Sequence, residues 1–578
     1  MRKIITGAIA SILIVVNIVA NSFFIPAFAD NPPRRILSGW LDGSPTIYLP
    51  SVDDNFNYEV IRDVSPFWYG LASETKITDK YTLGLYTKPI TVALQDLKNR
   101  GLIVIPTITD DQPVRTLALL LADPTRRANL VKSITDFVAK YNYDGIDLDF
   151  ETFYAKGESR TNWPVIKPNW VFFIKDLSTA LHAEGKLLSV TTPPDFDPAT
   201  KRAGNWVYAW GEIGPLIDRL RIMAYDYSTT NPGPIGPLDW TEDAVKYAIS
   251  QMPASKVFVG IPGYGRDWIT KVDGTCPAAF TASIVVGGKA ALAMRDAINL
   301  PTTYGGSAKY NATYAENSYT YKKNYVDPTN SAVSCTATRS VWYPDERSYA
   351  ARAALVGKYR LGGVAVWTFG KETLAAANAI KDVAKSIAPD VIVGTIATDL
   401  DQITYGATFN LTGTFKLPDK TPVAGLNVRF EVKNATDANW RPIAAGVTDA
   451  AGLISVPAIV GQSSQIRLIS EGSWERLEGK SAEKVIKVSP NISMKVPTSV
   501  KAGSAYQITG QLLPKLAGVT VLVKRNGATF GSYTTDATGG FNFSISEKES
   551  TLNTYQASIS ATASINTGSS EIYPLLVR

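Results

Sequence analysis

The chain has 578 residues, of which 45% are hydrophobic and 19% charged. This is the composition of a folded protein long enough for about two to four domains. The net charge is only +6 and no long basic run occurs, which argues against nucleic-acid binding. The single histidine and two cysteines argue against a His-ligated zinc site or a Ser-His-Asp triad, so we expect no metal and no cofactor.

The N-terminus has the pattern of a signal peptide. Two basic residues precede a mostly apolar run at residues 8–20, and residues 27–29, Ala-Phe-Ala, form a small-x-small cleavage site. We therefore expect residues 1–29 to be removed and the mature protein to be secreted, either extracellular or associated with the cell wall. An uncleaved membrane anchor is the alternative. Polar residues interrupt the apolar run and no second spanning segment is predicted, so we expect no membrane span after cleavage.

Residues 31–388 alternate between apolar β-type runs and helix-type patterns. Such alternation predicts an α/β fold, and eight units in this length favour a (β/α)8 TIM barrel. An open doubly wound sheet is the alternative, but neither a GxGxxG nor a Walker-type glycine loop is present. The predicted strands lie at 35–41, 64–70, 102–109, 145–151, 186–194, 219–226, 256–265 and 362–370.

Helix-type periodicity is clearest at residues 126–141 and 373–388. A third helix-type stretch contains His182 and ends at Gly185. We interpret His182 as a histidine on a helix surface, so any catalysis should depend on carboxylates and tyrosines.

The interval at about 266–340 is too long for an ordinary connection within a barrel. It is rich in Tyr, Thr and Asn, and it contains both cysteines, Cys276 and Cys335. We predict a subdomain inserted after the seventh strand, above the C-terminal mouth of the barrel. In an exported protein the two cysteines are expected to form a disulfide bond.

After Pro389 the helical periodicity disappears and short β-runs with Gly, Asp and Asn turns follow. Three short segments recur, namely 406–413 with 503–510, 424–430 with 517–523, and 448–452 with 535–539. The repeat predicts two immunoglobulin-like β-sandwich modules at 390–488 and 491–578. They are either glycan-binding modules, for which Trp440 and Trp474 are the candidate contacts, or spacers.

The segment YDGIDLDFE at 143–151 carries Asp144, Asp147, Asp149 and Glu151. Side chains alternate along a strand, so the last three acids share one face while apolar residues occupy the other. Adjacent carboxylates raise the pKa of at least one of them, which suits a general acid. A calcium site or a solvated acidic strand is the alternative, and buried acidic clusters more often mark functional sites.

These residues resemble glycoside hydrolase family 18, the family of chitinases and related N-acetylglucosaminidases. DGIDLDFE is similar to the family signature DGxDxDxE, and MAYD at 223–226 to its sixth-strand motif. GIPGYGRDW at 260–268 and VAVWTFG at 364–370 are similar to the seventh-strand segment and to the strand that carries the subsite tryptophan. The resemblance covers residues 35–388 and leaves out the two C-terminal modules.

The resemblance implies substrate-assisted catalysis, in which the nucleophile belongs to the sugar. Glu151 would protonate the glycosidic oxygen while the substrate's 2-acetamido oxygen attacks the anomeric carbon, and Glu151 would then activate water. Asp149 would orient the acetamide group, Tyr225 would donate a hydrogen bond to its oxygen, and Asp147 would tune Asp149. Asp144 would support the turn before the strand.

The same resemblance implies the substrate-binding residues. Met223 and Asp226 would contact the sugar at the scissile subsite, and Trp367 would stack under its ring. Tyr264, at a strand end, is a further binding candidate, whereas aromatic residues such as Trp40 and Phe67 are equally compatible with core packing.

The resemblance implies an N-acetylated sugar, but it leaves two candidates for the polymer that contains this sugar. The third strand reads IPTITDD at 105–111, where many chitinases have S-x-G-G, and other segments are similar to the bacterial spore-cortex-lytic and wall N-acetylglucosaminidase branch. We therefore expect a monomeric hydrolase of peptidoglycan, with chitin as the second candidate. The alternatives are a non-catalytic glycan-binding barrel and a wall-adhesive protein.

Overall fold

The computed structural model describes residues 31–41, 58–81, 89–152 and 160–578. The predicted signal peptide at 1–29 lies outside the described residues. The described chain divides into two compact units, one comprising Pro32–Pro389 and one comprising Asp390–Arg578 together with Asn31. Within the described ranges, no helix combines the length and apolar character needed to cross a membrane.

The first unit contains the strands that surround the candidate site. In chain order, its strands within the described ranges are β1 Leu37–Leu41, β2 Ile61–Pro66, β3 Tyr69–Ser73, β4 Lys76–Asp79, β5 Ile103–Val104, β6 Thr107–Thr109, β7 Gly145–Asp149, β8 Leu187–Thr192, β9 Arg219–Ile222, β10 Val257–Pro262, β11 Tyr264–Gly274, β12 Lys289–Ala293, β13 Lys309–Asn311, β14 Glu316–Val326, β15 Ser334–Tyr343 and β16 Gly363–Trp367.

Eleven of these strands form one curled sheet with the order β4-β3-β6-β7-β8-β9-β10-β16-β1-β2-β5 across the described residues. Apart from the β3–β4 hairpin, the neighbouring strands are parallel. The two ends of the order belong to the same two chain segments: β2 pairs with β5, and their continuations β3 and β6 pair with each other. The sheet therefore curls back on itself into an α/β barrel-like fold.

Three of the predicted strands are interrupted rather than continuous. The stretch 64–70 breaks between β2 and β3, the stretch 102–109 between β5 and β6, and the stretch 256–265 between β10 and β11. Pro66 ends β2, Pro106 lies in the second gap and Pro262 ends β10; none of them has a backbone N–H to donate to a neighbouring strand. The prediction of three unbroken strands is therefore wrong.

The helices of this unit lie mostly between successive parallel strands. In chain order, those within the described ranges are α1 Ile90–Asn99, α2 Thr116–Ala122, α3 Pro124–Lys140, α4 Trp163–Ala183, α5 Trp210–Ile213, α6 Leu238–Gln251, α7 Met294–Tyr304, α8 Glu346–Tyr359 and α9 Leu374–Ser386. The periodic stretches 126–141 and 373–388 correspond to α3 and α9. The Asp123 carboxylate caps α3 by accepting from the backbone N–H of Thr125 and Arg126 at 2.8 and 3.1 Å.

His182 lies in the last turn of α4, as the sequence predicts. Its side chain is 44% exposed and its Nε2 lies 2.9 Å from Asp218 Oδ2. The residue is on the surface of a covering helix and not in the interior of the barrel.

A second sheet lies between β10 and α8 in the chain. Among the described residues its order is β12-β11-β15-β14-β13, and all of its pairings are antiparallel. Cys276 and Cys335 form the disulfide bond that the sequence predicts, next to the end of β11. The sheet extends from Tyr264 to Tyr343, which is close to the interval predicted as an insertion.

Residues 390–578, all of them described, form two β-structures with separate apolar cores. Each combines a three-stranded and a larger sheet, with matching strand orders in the two halves. The strands are β17 Val393–Thr398, β18 Gln402–Thr404, β19 Phe409–Lys416, β20 Asn427–Asn434, β21 Arg441–Val447, β22 Leu453–Ala458, β23 Ser464–Ser470, β24 Gly479–Lys480, β25 Lys484–Ser489, β26 Asn491–Lys495, β27 Ser499–Val500, β28 Ala505–Leu513, β29 Thr520–Arg525, β30 Ala528–Thr534, β31 Gly540–Ser546, β32 Thr551–Ile559, β33 Gly568–Ser569 and β34 Tyr573–Val577.

The repeated Thr-Asp-Ala segment has a structural reason. Thr448 in the first half and Thr535 in the second each accept a hydrogen bond from one backbone N–H and donate to one carbonyl across the turn. The following residues, Asp449 and Asp536, each accept from the N–H groups two and four residues further on. The immunoglobulin-like class of the two halves stays a prediction.

Candidate active site

Asp147 lies at the centre of the barrel interior. It is fully buried on β7, and it faces inward from the middle of the curled sheet. Its two carboxylate oxygens accept hydrogen bonds at 2.6 to 3.3 Å from Trp40, Thr107, Ser189 and Thr191. A buried carboxylate held by this many donors is fixed in one orientation.

A chain of buried charges continues from Asp147 to the far side of the barrel. The Arg221 guanidinium lies 3.4 Å from Asp147 and 2.6 Å from Asp63, and Arg219 approaches Asp63 at 2.6 Å. Burial acts to raise the pKa of Asp63, but the two guanidinium groups outweigh it and hold the pKa below its usual value. This network was not predicted, although two arginines at alternate positions in the otherwise apolar run RLRI were a signal for it.

Asp149, two residues further along β7, has few hydrogen-bond donors around its carboxyl group, in contrast to Asp147. Its side chain is 8% exposed, and its Oδ1 is buried without a hydrogen-bond partner in the described part of the chain. Burial and the charges of Glu151, Asp147 and Asp110 raise the pKa of Asp149 well above its usual value. The geometry therefore favours a neutral Asp149 carboxyl group in the unliganded protein.

Glu151 follows β7 and is exposed at the mouth of the barrel. Its backbone is held by Asp110, whose Oδ1 accepts from the N–H of Glu151 at 2.8 Å. The second oxygen of Asp110 accepts from both the N–H and the hydroxyl of Thr152, each at 2.6 Å. Asp110 was not predicted as a site residue, although the two acids at the end of IPTITDD were a signal for it.

Tyr225 and Asp226 follow β9. Burial and the nearby tyrosine and carboxylate groups, Tyr264 first among them, raise the pKa of the Tyr225 phenol well above its usual value, so it stays a hydrogen-bond donor. Asp226 has a φ of 63°, and its carboxylate accepts from the Tyr264 hydroxyl and from Arg266, the latter at 2.6 Å. Tyr264 thus contacts Asp226.

A cleft of about 420 Å³ brings most of the predicted residues together. Asp149, Glu151, Met223, Tyr225, Asp226 and Trp367 all line it, with Trp40, Phe67, Thr191, Pro193, Pro194 and Trp240. Tyr264 lies behind Asp226, and Asp147 lies beneath Asp149, outside the lining.

Aromatic rings form one end of this cleft. The Trp367 ring meets Phe67 and Trp40 edge-on, with ring centroids 4.7 and 5.5 Å apart. These rings come from β16, β1 and the break between β2 and β3, which are neighbours in the curled sheet. A face of this kind can pack against the apolar surface of a sugar ring, and two rings that the sequence left as either core or cleft residues belong to the cleft.

Comparison with known proteins decides the family of this site. The sequence model of the family "Glycosyl hydrolases family 18" matches residues 68–372, which is more than half of the chain. The chain belongs to glycosyl hydrolase family 18. The matched range contains β7, Tyr225, the five-stranded sheet and Trp367, and it ends before the two C-terminal β-structures.

Several family 18 proteins are similar to this one. The "Putative sporulation-specific glycosylase YdhD" of Bacillus subtilis is 25% identical over 57% of this chain and 72% of its own length. The cortical fragment-lytic enzyme of the same organism is 26% identical over 44% of this chain, and the probable chitinase 2 of Drosophila melanogaster is 28% identical over 43%. The matches cover 52% and 51% of those two relatives, so the alignments span about half of their lengths.

Solved structures include similar proteins with these activities in their names. The spore cortex-lytic enzyme SleL of Bacillus megaterium is 19% identical, with a TM-score of 0.48, over 61% of this chain and 75% of its own. A chitinase of Chromobacterium violaceum is 24% identical, with a TM-score of 0.48, over 60% of this chain and 98% of its own. Family membership, together with the relatives named as a cortical fragment-lytic enzyme and a chitinase, identifies the protein as a glycoside hydrolase of the chitinase-like family.

Proposed function

We propose that the protein is a secreted, retaining hydrolase of β-1,4 bonds in polymers that contain N-acetylglucosamine. Glu151 acts as the acid and then as the base, and the substrate's own acetamide group acts as the nucleophile. The observation that carries the proposal is the convergence of Asp149, Glu151 and Tyr225 on one cleft with an aromatic end. These three side chains together can bind an acetamide group and protonate the oxygen of a glycosidic bond.

The reaction assigns one role to each of these groups. Glu151 transfers its proton to the glycosidic oxygen as the bond to the anomeric carbon breaks, and the acetamide oxygen forms a new bond to that carbon. Water then attacks the same carbon and gives a proton to Glu151, while the bond from that carbon to the acetamide oxygen breaks and restores the acetamide group. Because the carbon undergoes two successive displacements, the anomeric configuration is retained. The Tyr225 hydroxyl donates to the acetamide oxygen, where electron density shifts during the first step.

Asp149 can hold the acetamide group of the substrate because its raised pKa favours a neutral carboxyl group. A neutral carboxyl group has one proton to donate to Glu151 as that residue becomes a carboxylate, and one oxygen to accept the acetamide N–H. Asp147, with both oxygens occupied by fixed donors, supplies the negative charge beneath it. Met223, Asp226 and Trp367 complete the subsite for the sugar ring.

Peptidoglycan is the preferred polymer and chitin the second. Relatives named as cortical fragment-lytic enzymes and a sporulation-specific glycosylase favour a wall glycan, whereas a relative named as a chitinase favours chitin. β6 is followed directly by Asp110, where many chitinases have the sequence S-x-G-G, and this difference supports the wall glycan. Secretion rests on the signal-peptide pattern of residues 1–29.

Product analysis tests the proposal. The purified protein is incubated in parallel with chitin oligomers and with purified peptidoglycan, and the products are identified by mass spectrometry. We expect new reducing ends on N-acetylglucosamine, initially in the β-configuration by NMR. An inverted initial product would contradict substrate-assisted catalysis, and tight binding without cleavage of either polymer would favour a non-catalytic glycan-binding protein instead.

Glu151→Gln is the matching variant. We expect it to keep the wild-type fold and to lose hydrolysis of the preferred polymer, because the amide cannot transfer a proton. Glu212→Gln, an exposed glutamate paired with Lys167, is the control and should hydrolyse the same polymer at the wild-type rate. Turnover near the wild-type rate in the Glu151 variant would contradict the assignment of the acid.

A further inference from the structure

Glu316, at the start of β14 in the five-stranded sheet, reaches into the connection between β9 and α6. Its Oε2 accepts from the backbone N–H of Ile235 at 2.7 Å, and its Oε1 accepts from that of Gly236 at 2.8 Å. Glu316, Ile235 and Gly236 are all buried, and the residues that make contact are about 80 positions apart in the chain. The five-stranded sheet thus holds one connection of the barrel by a single carboxylate.

Arg352 of α8 completes this contact. Its guanidinium is fully buried, lies 3.0 Å from Glu316 Oε1, and also donates to the carbonyl of Gly236. Two further donations reach the carbonyls of Ala315 and Ser348 at 3.3 and 3.1 Å. Replacing a buried ion pair with apolar residues is often neutral or stabilising, so stability alone is a weak reason for the pair.

The connection between β9 and α6, which Glu316 and Arg352 hold, packs against Tyr225 and the residues next to it. Ile235 is fully buried in one apolar cluster with Tyr225, and its carbonyl accepts from the N–H of Tyr227 at 2.8 Å. Gly236 packs so closely on the chain before Tyr225 that a Cβ there would lie 2.3 Å from the carbonyl oxygen of Ala224. A shift of Ile235 and Gly236 therefore displaces the residues that face the cleft.

We propose that Glu316 is a positioning residue that sets the place of Tyr225 in the candidate active site by anchoring Ile235 and Gly236. The proposal deepens the proposed function and rests on it, because Tyr225 has a role only if an acetamide group binds there. It assigns the five-stranded sheet a part in catalysis without any contact between Glu316 and the substrate.

A double-mutant cycle on the full chain tests the route through Tyr225. Glu316→Gln keeps the size of the side chain but replaces one acceptor with a donor that faces an N–H group. We expect it to lower kcat on a chromogenic chito-oligosaccharide by about 10-fold to 100-fold with a small change in KM, since a displacement of about 1 Å has effects of this size. In a Tyr225→Phe background the same change should lower kcat by less than about 3-fold, because the two variants then remove one shared function.

Asp267→Asn is the matched control. Asp267 is also a buried carboxylate of the five-stranded sheet with an arginine partner, Arg339 at 2.8 Å, but its hydrogen bonds go to that sheet alone. Its effect on kcat should be small and equal in both backgrounds. If Glu316→Gln lowers kcat by the same factor with and without Tyr225, the residue acts as ordinary structure and the proposal is overturned.

Two additions keep the test decisive. If Glu316→Gln fails to fold, Glu316→Leu with Arg352→Met removes both buried charges together and should give the same non-additivity with Tyr225→Phe. Amide hydrogen exchange of residues 226–238 measures the anchoring without any substrate: we expect faster exchange in Glu316→Gln and not in Asp267→Asn. Unchanged exchange overturns the proposal, whereas faster exchange in a protein whose wild type hydrolyses neither polymer contradicts the proposed function alone.

Discussion

Asp147 and Asp149 lie two residues apart on β7 and face the same interior, yet their surroundings differ in the number of donors. Asp147 accepts from three hydroxyl groups and an indole and lies 3.4 Å from a guanidinium group, whereas one oxygen of Asp149 is buried with no donor in the described part of the chain. Period-two alternation explains the shared face. The difference in hydrogen bonding comes from the side chains that neighbouring strands contribute.

The first prediction concerns the stability of Asp149→Asn as a function of pH. The pKa of Asp149 is raised in the folded protein, chiefly by burial and then by Glu151, so folding favours its neutral form. Its contribution to stability is complete below the pKa of the unfolded chain and is lost as pH rises through the folded pKa. The asparagine variant lacks this loss, so in chemical denaturation its free energy of unfolding should rise relative to wild type as pH increases above the ordinary pKa of an aspartic acid.

Asp136→Asn is the control for this measurement. Asp136 is an exposed member of an i, i+4 pair with Lys132, so its replacement should leave the pH profile of stability close to that of the wild type. A constant difference between Asp149→Asn and wild type over the whole pH range would contradict the raised pKa.

The second prediction concerns Asp110→Ala. Asp110 holds the backbone at Glu151 and Thr152, so its removal frees the segment that carries the acid. We expect kcat to fall about 10-fold to 100-fold while oligosaccharide binding is retained, because the acid loses its orientation and the aromatic end of the cleft stays intact. Steady-state kinetics and a binding titration, both on chito-oligosaccharides, measure the two effects.

Asp123→Ala supplies the comparison for Asp110. It also removes a carboxylate that caps two backbone N–H groups, but at the start of α3, away from the lining of the cleft. It should lower the free energy of unfolding by about 1 kcal/mol without changing kcat. Equal kinetic losses in the two variants would show that Asp110 acts only through stability.

At the scale of elements, β7 needs a glycine at its first position. A Cβ on Gly145 would lie 2.2 Å from the backbone carbonyl oxygen of Leu187 on the neighbouring strand β8. This is the glycine of the DG pair in the acidic segment, and its physical reason is the close approach of two barrel strands.

The third prediction follows from that contact. Gly145→Ala should lower the free energy of unfolding by about 1–3 kcal/mol or more, because a backbone atom cannot move aside without separating β7 from β8. Gly211→Ala, whose Cβ would meet only the flexible end of Gln251, should be tolerated. Urea denaturation of both variants decides it, and equal stabilities would contradict the tight strand contact.

The sequence predicted features that depend on local contacts, and it missed features that depend on contacts between residues far apart in the chain. Local periodicity predicted β7, α3 and α9, and the resemblance predicted six of the twelve described residues that line the cleft. The roles of Asp110, Arg221 and Glu316 depend on partners 36 to 158 positions away, which no local pattern encodes. The breaks within the three interrupted strands were missed because the apolar run continues on both sides of a proline.

At the scale of the whole molecule, every residue assigned to the candidate site belongs to Pro32–Pro389, a compact unit with its own core. The remaining residues, 390–578, have two cores of their own, and their half-buried tryptophans Trp440 and Trp474 are well separated in sequence. Trp440 is stacked by Arg467, 4.2 Å from its ring centroid, which occupies one face of that ring. Because the opposite face of the ring is not covered by Arg467, both the spacer and the glycan-binding interpretations of the C-terminal half stay predictions.

The fourth prediction is that a chain ending at Pro389 keeps its activity on soluble substrates. Its kcat/KM on chito-oligosaccharides should stay within about 2-fold of the full-length value, because a compact unit with a complete core folds independently. If residues 390–578 are a spacer, they should fail to sediment with insoluble chitin or purified cell walls when expressed alone. Retention on either polymer, abolished by Trp440→Ala or Trp474→Ala and not by Tyr573→Ala, would instead establish the C-terminal half as a glycan-binding region.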